Sequence, residues 1–141
     1  MILPPARSTE PVRAFLDANV LYSAAIGGGV AMLWEAPGVV LVTSEYASRE
    51  AWDNLSEHQR PTEASDRLAD LLSRIEVWPH MTESAEPEDW ALPDPSDVPI
   101  LRAAIASRCE VLITGDKRCF GAHFGNRLGG VLVLRPSAFM A

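Results

Sequence analysis

The sequence predicts an α/β fold: a mostly parallel sheet covered by helices on both faces. Short runs of β-forming, apolar residues at 12–16, 39–42, 111–113 and 131–134 alternate with helix-like stretches, the pattern left by strands that are buried on both sides. At 141 residues the chain also has the length of one ordinary domain, enough to bury about two-thirds of the surface of its unfolded form. One core is therefore expected, spanning residues 1–141, with residues 1–10 as a flexible lead-in.

Residues 12–16 are rich in β-formers and are followed by Asp17-Ala18-Asn19 and then 20–26, which read as strand, loop and helix. Gly27-Gly28-Gly29 ends that helix. Residues 30–36 look like a second helical stretch stopped by Pro37-Gly38, and 39–42 like a buried strand. Thr43 or Ser44 then caps a helix running from Glu45 to about Leu55. Another follows from Thr62 or Glu63 to Ile75, with Leu68, Leu71, Leu72 and Ile75 on one face. A short strand is expected at 76–78. Residues 80–95, with Pro87, Pro93 and Pro95 among acidic side chains, read as a surface loop. Ser96 or Asp97 opens a helix to Ser107 that buries Ile100, Leu101, Ala104 and Ile105, with Pro99 tolerated in its first turn. Residues 111–113 and 131–134 supply the remaining strands, about five in all.

Composition narrows the function classes. With 48% hydrophobic and 22% charged residues the chain is that of a globular protein. Residues 1–10 lack the apolar core of a signal peptide, and no apolar run is long enough to cross a bilayer, so no membrane association and a cytoplasmic location are expected. Cys109 and Cys119 are expected to be free thiols. The formal net charge of −7 speaks against a broad basic surface for nucleic acid. It is compatible with carboxylates gathered around a cation, which reverses the local field, with basic residues at the rim.

Such a gathering is what the strand positions predict. Ligands of open parallel sheets bind outside the carboxyl ends of the strands. Asp17 and Asp116 each stand at or just past the end of an apolar run, Glu50 one to two turns into the helix after the second strand, and Asp97 at the start of the helix before the Asp116 strand. Carboxylates meeting there repel one another unless a cation is present, and oxygen donors suit Mg²⁺ or Mn²⁺. Ordinary structural roles stand beside each: a helix cap for Asp17 and Asp97, a turn for Asp116, a solvated helix face for Glu50. The Trp34, Trp52 and Trp78 rings are read as core, and His58, His80 and His123 lack metal-ligand spacing.

Phe15-Leu16-Asp17-Ala18-Asn19-Val20-Leu21, Glu50-Ala51 with Asn54-Leu55, Asp94-Pro95-Ser96-Asp97 with Ala103-Ala104, and Leu112-Ile113-Thr114-Gly115-Asp116-Lys117 together resemble the PIN-domain family. Their order, spacing and total length are similar to those of the VapC-like toxin ribonucleases and related small PIN proteins. The resemblance implies a three-layer α/β/α sandwich and a Mg²⁺- or Mn²⁺-dependent endoribonuclease acting on RNA. Such proteins are often dimeric and often inhibited by a cognate antitoxin, so a homodimer and an antitoxin partner are expected. By position, the family's acidic residues fall on Asp17, Glu50, Asp97 and Asp116, with Asn19 and Thr114 supporting them by hydrogen bonds. Asp94 is an outer ligand or a substitute for Asp97. After Asp116 the sequence departs from the family: Lys117-Arg118-Cys119-Phe120 stands where an additional carboxylate is common, and Lys117 and Arg118 become candidates for RNA contact.

Two other functions fit parts of the same pattern. A phosphatase of the haloacid dehalogenase type would use Asp17 as phosphoryl acceptor with help from Thr43 and Lys117, but needs an Asp where Asn19 stands. A PIN fold that binds a partner without catalysis would need none of the four carboxylates, all of which are present.

Overall fold

In the computed structural model of the protein, residues 10–79 and 97–141 are described. They build a six-stranded sheet in the order β3-β2-β1-β4-β6-β5. The strands are β1 (Val12–Leu16), β2 (Val39–Ser44), β3 (Glu76–Trp78), β4 (Val111–Ile113), β5 (Arg127–Leu128) and β6 (Val131–Leu134). All neighbours are parallel except β5 and β6. The helices are α1 (Ala18–Ala25), α2 (Glu45–Glu57), α3 (Thr62–Ser73), α4 (Val98–Ala106), α5 (Lys117–Phe120) and α6 (Pro136–Met140). The expected loop at 80–95 and Ser96 lie outside the described residues.

The central strands are apolar because both their faces are covered: Ala14, Phe15, Leu16, Val111, Leu112 and Ile113 have no exposed surface. β3 lies at the edge, and its Glu76 and Val77 are exposed. Helix periodicity is equally direct. On α2, Ala47, Ala51 and Leu55 face inward at four-residue spacing, beneath the Ser44 hydroxyl that accepts from the Ala47 amide at 3.1 Å. Of the two expected caps it is therefore Ser44 that caps, while the Thr43 hydroxyl donates to the Leu16 carbonyl at 2.9 Å and ties β2 to β1. On α3, Leu68 and Leu71 are buried and Leu72 is half-buried; the helix ends at Ser73, short of the expected Ile75, which is half-buried beyond it, as is Ile105 on α4.

Several features depart from the sequence expectation, the short helices α5 and α6 among them. The helical stretch expected at 30–36 is a 3₁₀ helix over Gly29–Glu35, with the Trp34 indole donating to the Leu71 carbonyl at 3.0 Å. The two-residue strand β5 adds an antiparallel edge, joined to β6 by Gly129-Gly130 with both φ angles positive, +57° and +86°. That backbone is the I′ hairpin turn which glycine adopts without strain. A two-residue strand is too short to leave a periodic pattern.

Strand order decides where a site can form. From β1 the chain runs outward through β2 to β3, then returns past β1 to β4 and continues to β6. The direction reverses between β1 and β4, the topological switch point at which open α/β sheets form their ligand crevice outside the carboxyl ends. The β1–β4 register sets Leu16 beside Ile113, so Asp17 and Thr114 emerge next to each other.

The amino end of β1 is fastened separately. The Arg13 guanidinium makes two bonds to the Glu76 carboxylate, at 3.0 and 2.9 Å, and two to the Ser107 carbonyl at the end of α4, at 3.1 and 2.9 Å. Hydrogen bonding from Arg13 holds the Glu76 carboxyl below its ordinary range. Because the ion pair is partly exposed, Arg13→Ala is expected to cost about 1–2 kcal/mol, much of it from the stranded Ser107 carbonyl. Glu76→Gln should cost less, since that carbonyl keeps its donor. Urea unfolding of the two variants measures the difference.

Candidate active site

Asp17 follows the last residue of β1 and is only 3% exposed. Its Oδ1 accepts from the Ala18 amide at 2.7 Å at the start of α1, and its Oδ2 accepts from the Thr114 hydroxyl at 2.8 Å and the Asn19 side-chain amide at 3.2 Å. Thr114 is fully buried just past β4 and relays the contact outward, its Oγ1 accepting from the Asp116 amide at 3.1 Å and from Asn19 at 3.2 Å. Asn19 Oδ1 accepts from the Gly115 amide at 2.8 Å. A Cβ at Gly115 would lie 3.3 Å from that same Oδ1, so a larger residue there would have to displace the Asn19 amide by a few tenths of an ångström. Asn19 and Thr114 thus hold the ends of β1 and β4 in one network.

Asp116 is half-buried and caps α5, its Oδ1 accepting from the Arg118 and Cys119 amides at 3.1 and 3.2 Å. Asp97 precedes α4 and is 9% exposed, and its carboxylate makes no capping bond to that helix. The capping role open to it in the sequence is not what occupies this side chain. One ligand atom each from Asp97, Asp116 and Cys119 lies within 4.8 Å of the others. Glu50 sits on the flank of α2's buried face, half-buried and one residue before Ala51.

Electrostatics join the two groups. Burial pushes the Asp17 carboxyl up to about 7; the bonds from Thr114 and Ala18 act the other way, and the charges of Asp97 and Glu50 add to the rise. The structure therefore brings all four sequence-selected carboxylates into one neighbourhood, with Asp97 common to both clusters. Asp94 lies outside the described residues. Lys117 and Arg118 are exposed on α5 beside Asp116. Thr43, the helper required by a phosphatase, is fully buried with its hydroxyl spent on the Leu16 carbonyl.

Cys119 was not selected from the sequence. It is 7% exposed, and burial together with hydrogen bonding to Asp97 and Asp116 pushes its thiol up to about 12. The available signal was its spacing: a residue three past a helix-capping Asp has its amide, and hence its side chain, beside that carboxylate. Both cysteines are free.

A buried carboxyl raised in the folded state costs nothing below its unfolded value near 4, where both states are protonated, and its full penalty is reached above about 7, where both are ionised. Stability of the metal-free protein is accordingly expected to fall as pH rises between these limits, and the slope should flatten in Asp17→Asn. Thermal melts in a chelator across that range give the measurement, and an unchanged slope in the variant would contradict a raised, buried Asp17 carboxyl.

The family model of the PIN domain matches residues 13–118, a span that takes in all four carboxylates. No curated protein sequence matches the chain. Among solved structures, one chain of VapBC2 from Rickettsia felis, bound to a DNA fragment from their promoter, aligns with a TM-score of 0.62 and 15% identity, covering 88% of this chain and 98% of that one. The Mycobacterium tuberculosis toxin VapC20, which cleaves the sarcin-ricin loop, aligns with a TM-score of 0.56 and 15% identity, covering 84% and 98%. At such identity the likeness establishes the shared fold, while the family match over most of the length establishes membership: the chain belongs to the PIN-domain family.

Proposed function

We propose that the protein is a divalent-metal-dependent endoribonuclease, the toxin of a toxin-antitoxin pair, with Asp17, Glu50, Asp97 and Asp116 as its catalytic, metal-holding carboxylates. The observation that carries this reading is Asp17: a carboxyl with almost no exposure, held by three hydrogen bonds at the topological switch point and pushed upward mainly by its burial, with smaller contributions from Asp97 and Glu50. Asp17 is also the N-cap of α1, but Asn or Ser could fill that role without a buried charge, which is destabilising when uncompensated. A hard cation, Mg²⁺ or Mn²⁺, removes that penalty, and the oxygen donors suit it. When bound, it supplies a water of lowered pKa and neutralises charge on a phosphodiester.

The chain's own residues do the remaining work. Thr114 and Asn19 hold the Asp17 carboxyl in place, and both tie it to the loop of Gly115 and Asp116. Lys117 and Arg118, exposed at the rim, offer positive charge to the RNA backbone on a chain whose net charge is −7. RNA as substrate is supported by the likeness to the toxin that cleaves the sarcin-ricin loop, and a protein antitoxin by the likeness to the two-component VapBC2 assembly. A homodimer and a cytoplasmic location belong to the same proposal; no described helix is long and apolar enough to cross a membrane.

Cleavage of a structured RNA in Mn²⁺ is the direct test. Asp17→Asn and Asp116→Asn are expected to reduce it to background with far-ultraviolet circular dichroism unchanged, and Thr114→Val to reduce it roughly 10–100-fold, the range for a residue that orients a ligand. Undiminished cleavage in both Asp variants would refute the assigned site. Comparing Mn²⁺ affinity in Asp97→Asn and Asp94→Asn separates the inner ligand from the outer; the larger loss is expected for Asp97. A protein that binds Mn²⁺ but never cuts RNA would instead be a binding module of the same fold.

A further inference from the structure

We propose that Cys119 is a sulfur ligand of the ion held by Asp97 and Asp116, and that it biases the site toward borderline ions such as Co²⁺ and Zn²⁺ over Mg²⁺. This rests on the metal-dependent reading above and adds to it a ligand and a selectivity. The Cys119 sulfur and one carboxylate oxygen each from Asp97 and Asp116 lie within 4.8 Å of one another, a span that a single ion with bonds of about 2.0–2.3 Å bridges after small rotations. The Thr114 hydroxyl donates to Asp17 Oδ2 at 2.8 Å and accepts from the Asp116 amide at 3.1 Å, so the loop that leads into the Cys119 turn adjoins Asp17 and is not a separate patch.

Its position is also held by the backbone. Cys119 lies in the first turn of α5, and its amide donates to Asp116 Oδ1 at 3.2 Å, which keeps thiol and carboxylate on the same side of the turn. Phe120, fully buried, anchors the next residue and restrains the turn from swinging away. The turn of α5 thus presents a sulfur three residues after Asp116. Thiolate is a soft donor and Mg²⁺ binds it poorly, whereas Co²⁺ and Zn²⁺ accept mixed sulfur and oxygen sets. As the sulfur–metal bond forms, the thiol proton leaves to solvent and no electrons are transferred.

The test is titration of the full chain with Co²⁺, read by absorbance. The expected result is a sulfur-to-cobalt charge-transfer band in the near ultraviolet for the wild type and for Cys109→Ser, lost in Cys119→Ser and Cys119→Ala while calorimetry shows that both variants still bind Co²⁺. Co²⁺ binding without the band in the wild type, or a band that survives in the Cys119 variants, would overturn the sulfur ligand and leave the metal site standing. Wild-type protein that takes up neither Co²⁺ nor Mn²⁺ in calorimetry would overturn the metal-dependent reading itself, and the proposal with it.

Discussion

The site depends on the cost of keeping the Asp17 carboxylate out of water. A charged group with 3% exposure is tolerated only where fixed dipoles or opposite charge replace its hydration. Thr114, Asn19 and the Ala18 amide supply dipoles, but burial still wins, and the neighbouring Asp97 and Glu50 worsen the balance. The fold is thus poised: without a cation the crevice holds a carboxyl near neutrality, and with one it becomes a concentrated anionic site. In the proposed reading, that imbalance is the source of metal affinity.

The rest of the architecture separates this strain from the elements that provide stability. The sheet interior is continuous apolar packing, with Phe15, Leu16, Leu112 and Ile113 fully buried between helices. At the amino end of β1, Arg13 ties Glu76 and the end of α4 together, far along the strand from Asp17. Favourable charge pairing therefore lies toward one end of the sheet and like-charge crowding at the other. Such a division lets the carboxyl edge carry repulsive groups without loss of the fold.

A net charge of −7 is unusual for a protein proposed to act on RNA. Part of that charge is gathered in the crevice, where a cation would offset it, and Lys117 and Arg118 stand exposed beside it. The proposed RNA contact is accordingly local, a basic rim around an ion, in place of a broad electrostatic surface.

Much of this was legible in the sequence because it is local. Apolar runs marked the four main strands, Ser44 and Pro99 marked helix starts, and Asp17 and Asp116 could be placed at strand ends from the chain alone. β3, though its burial is slight, was marked by its bounding helix and loop. The hairpin at Gly129-Gly130 escaped because β5 has too few residues to show a period, and the 3₁₀ character of residues 29–35 because apolar spacing does not distinguish it from a short α-helix. The family resemblance, not periodicity, selected Glu50 and Asp97. Whether Asp97 turns to its own helix or away from it, whether Glu50 comes near enough to Asp17 to act on its charge, and whether Cys119 lies between two carboxylates are matters of how α2, α4 and α5 pack on the sheet. Those separations are set by contacts between residues far apart in the chain, on which local pattern and propensity carry no information; hence the sequence determined the strands and the two anchoring aspartates, and the tertiary structure alone decided which other groups meet them.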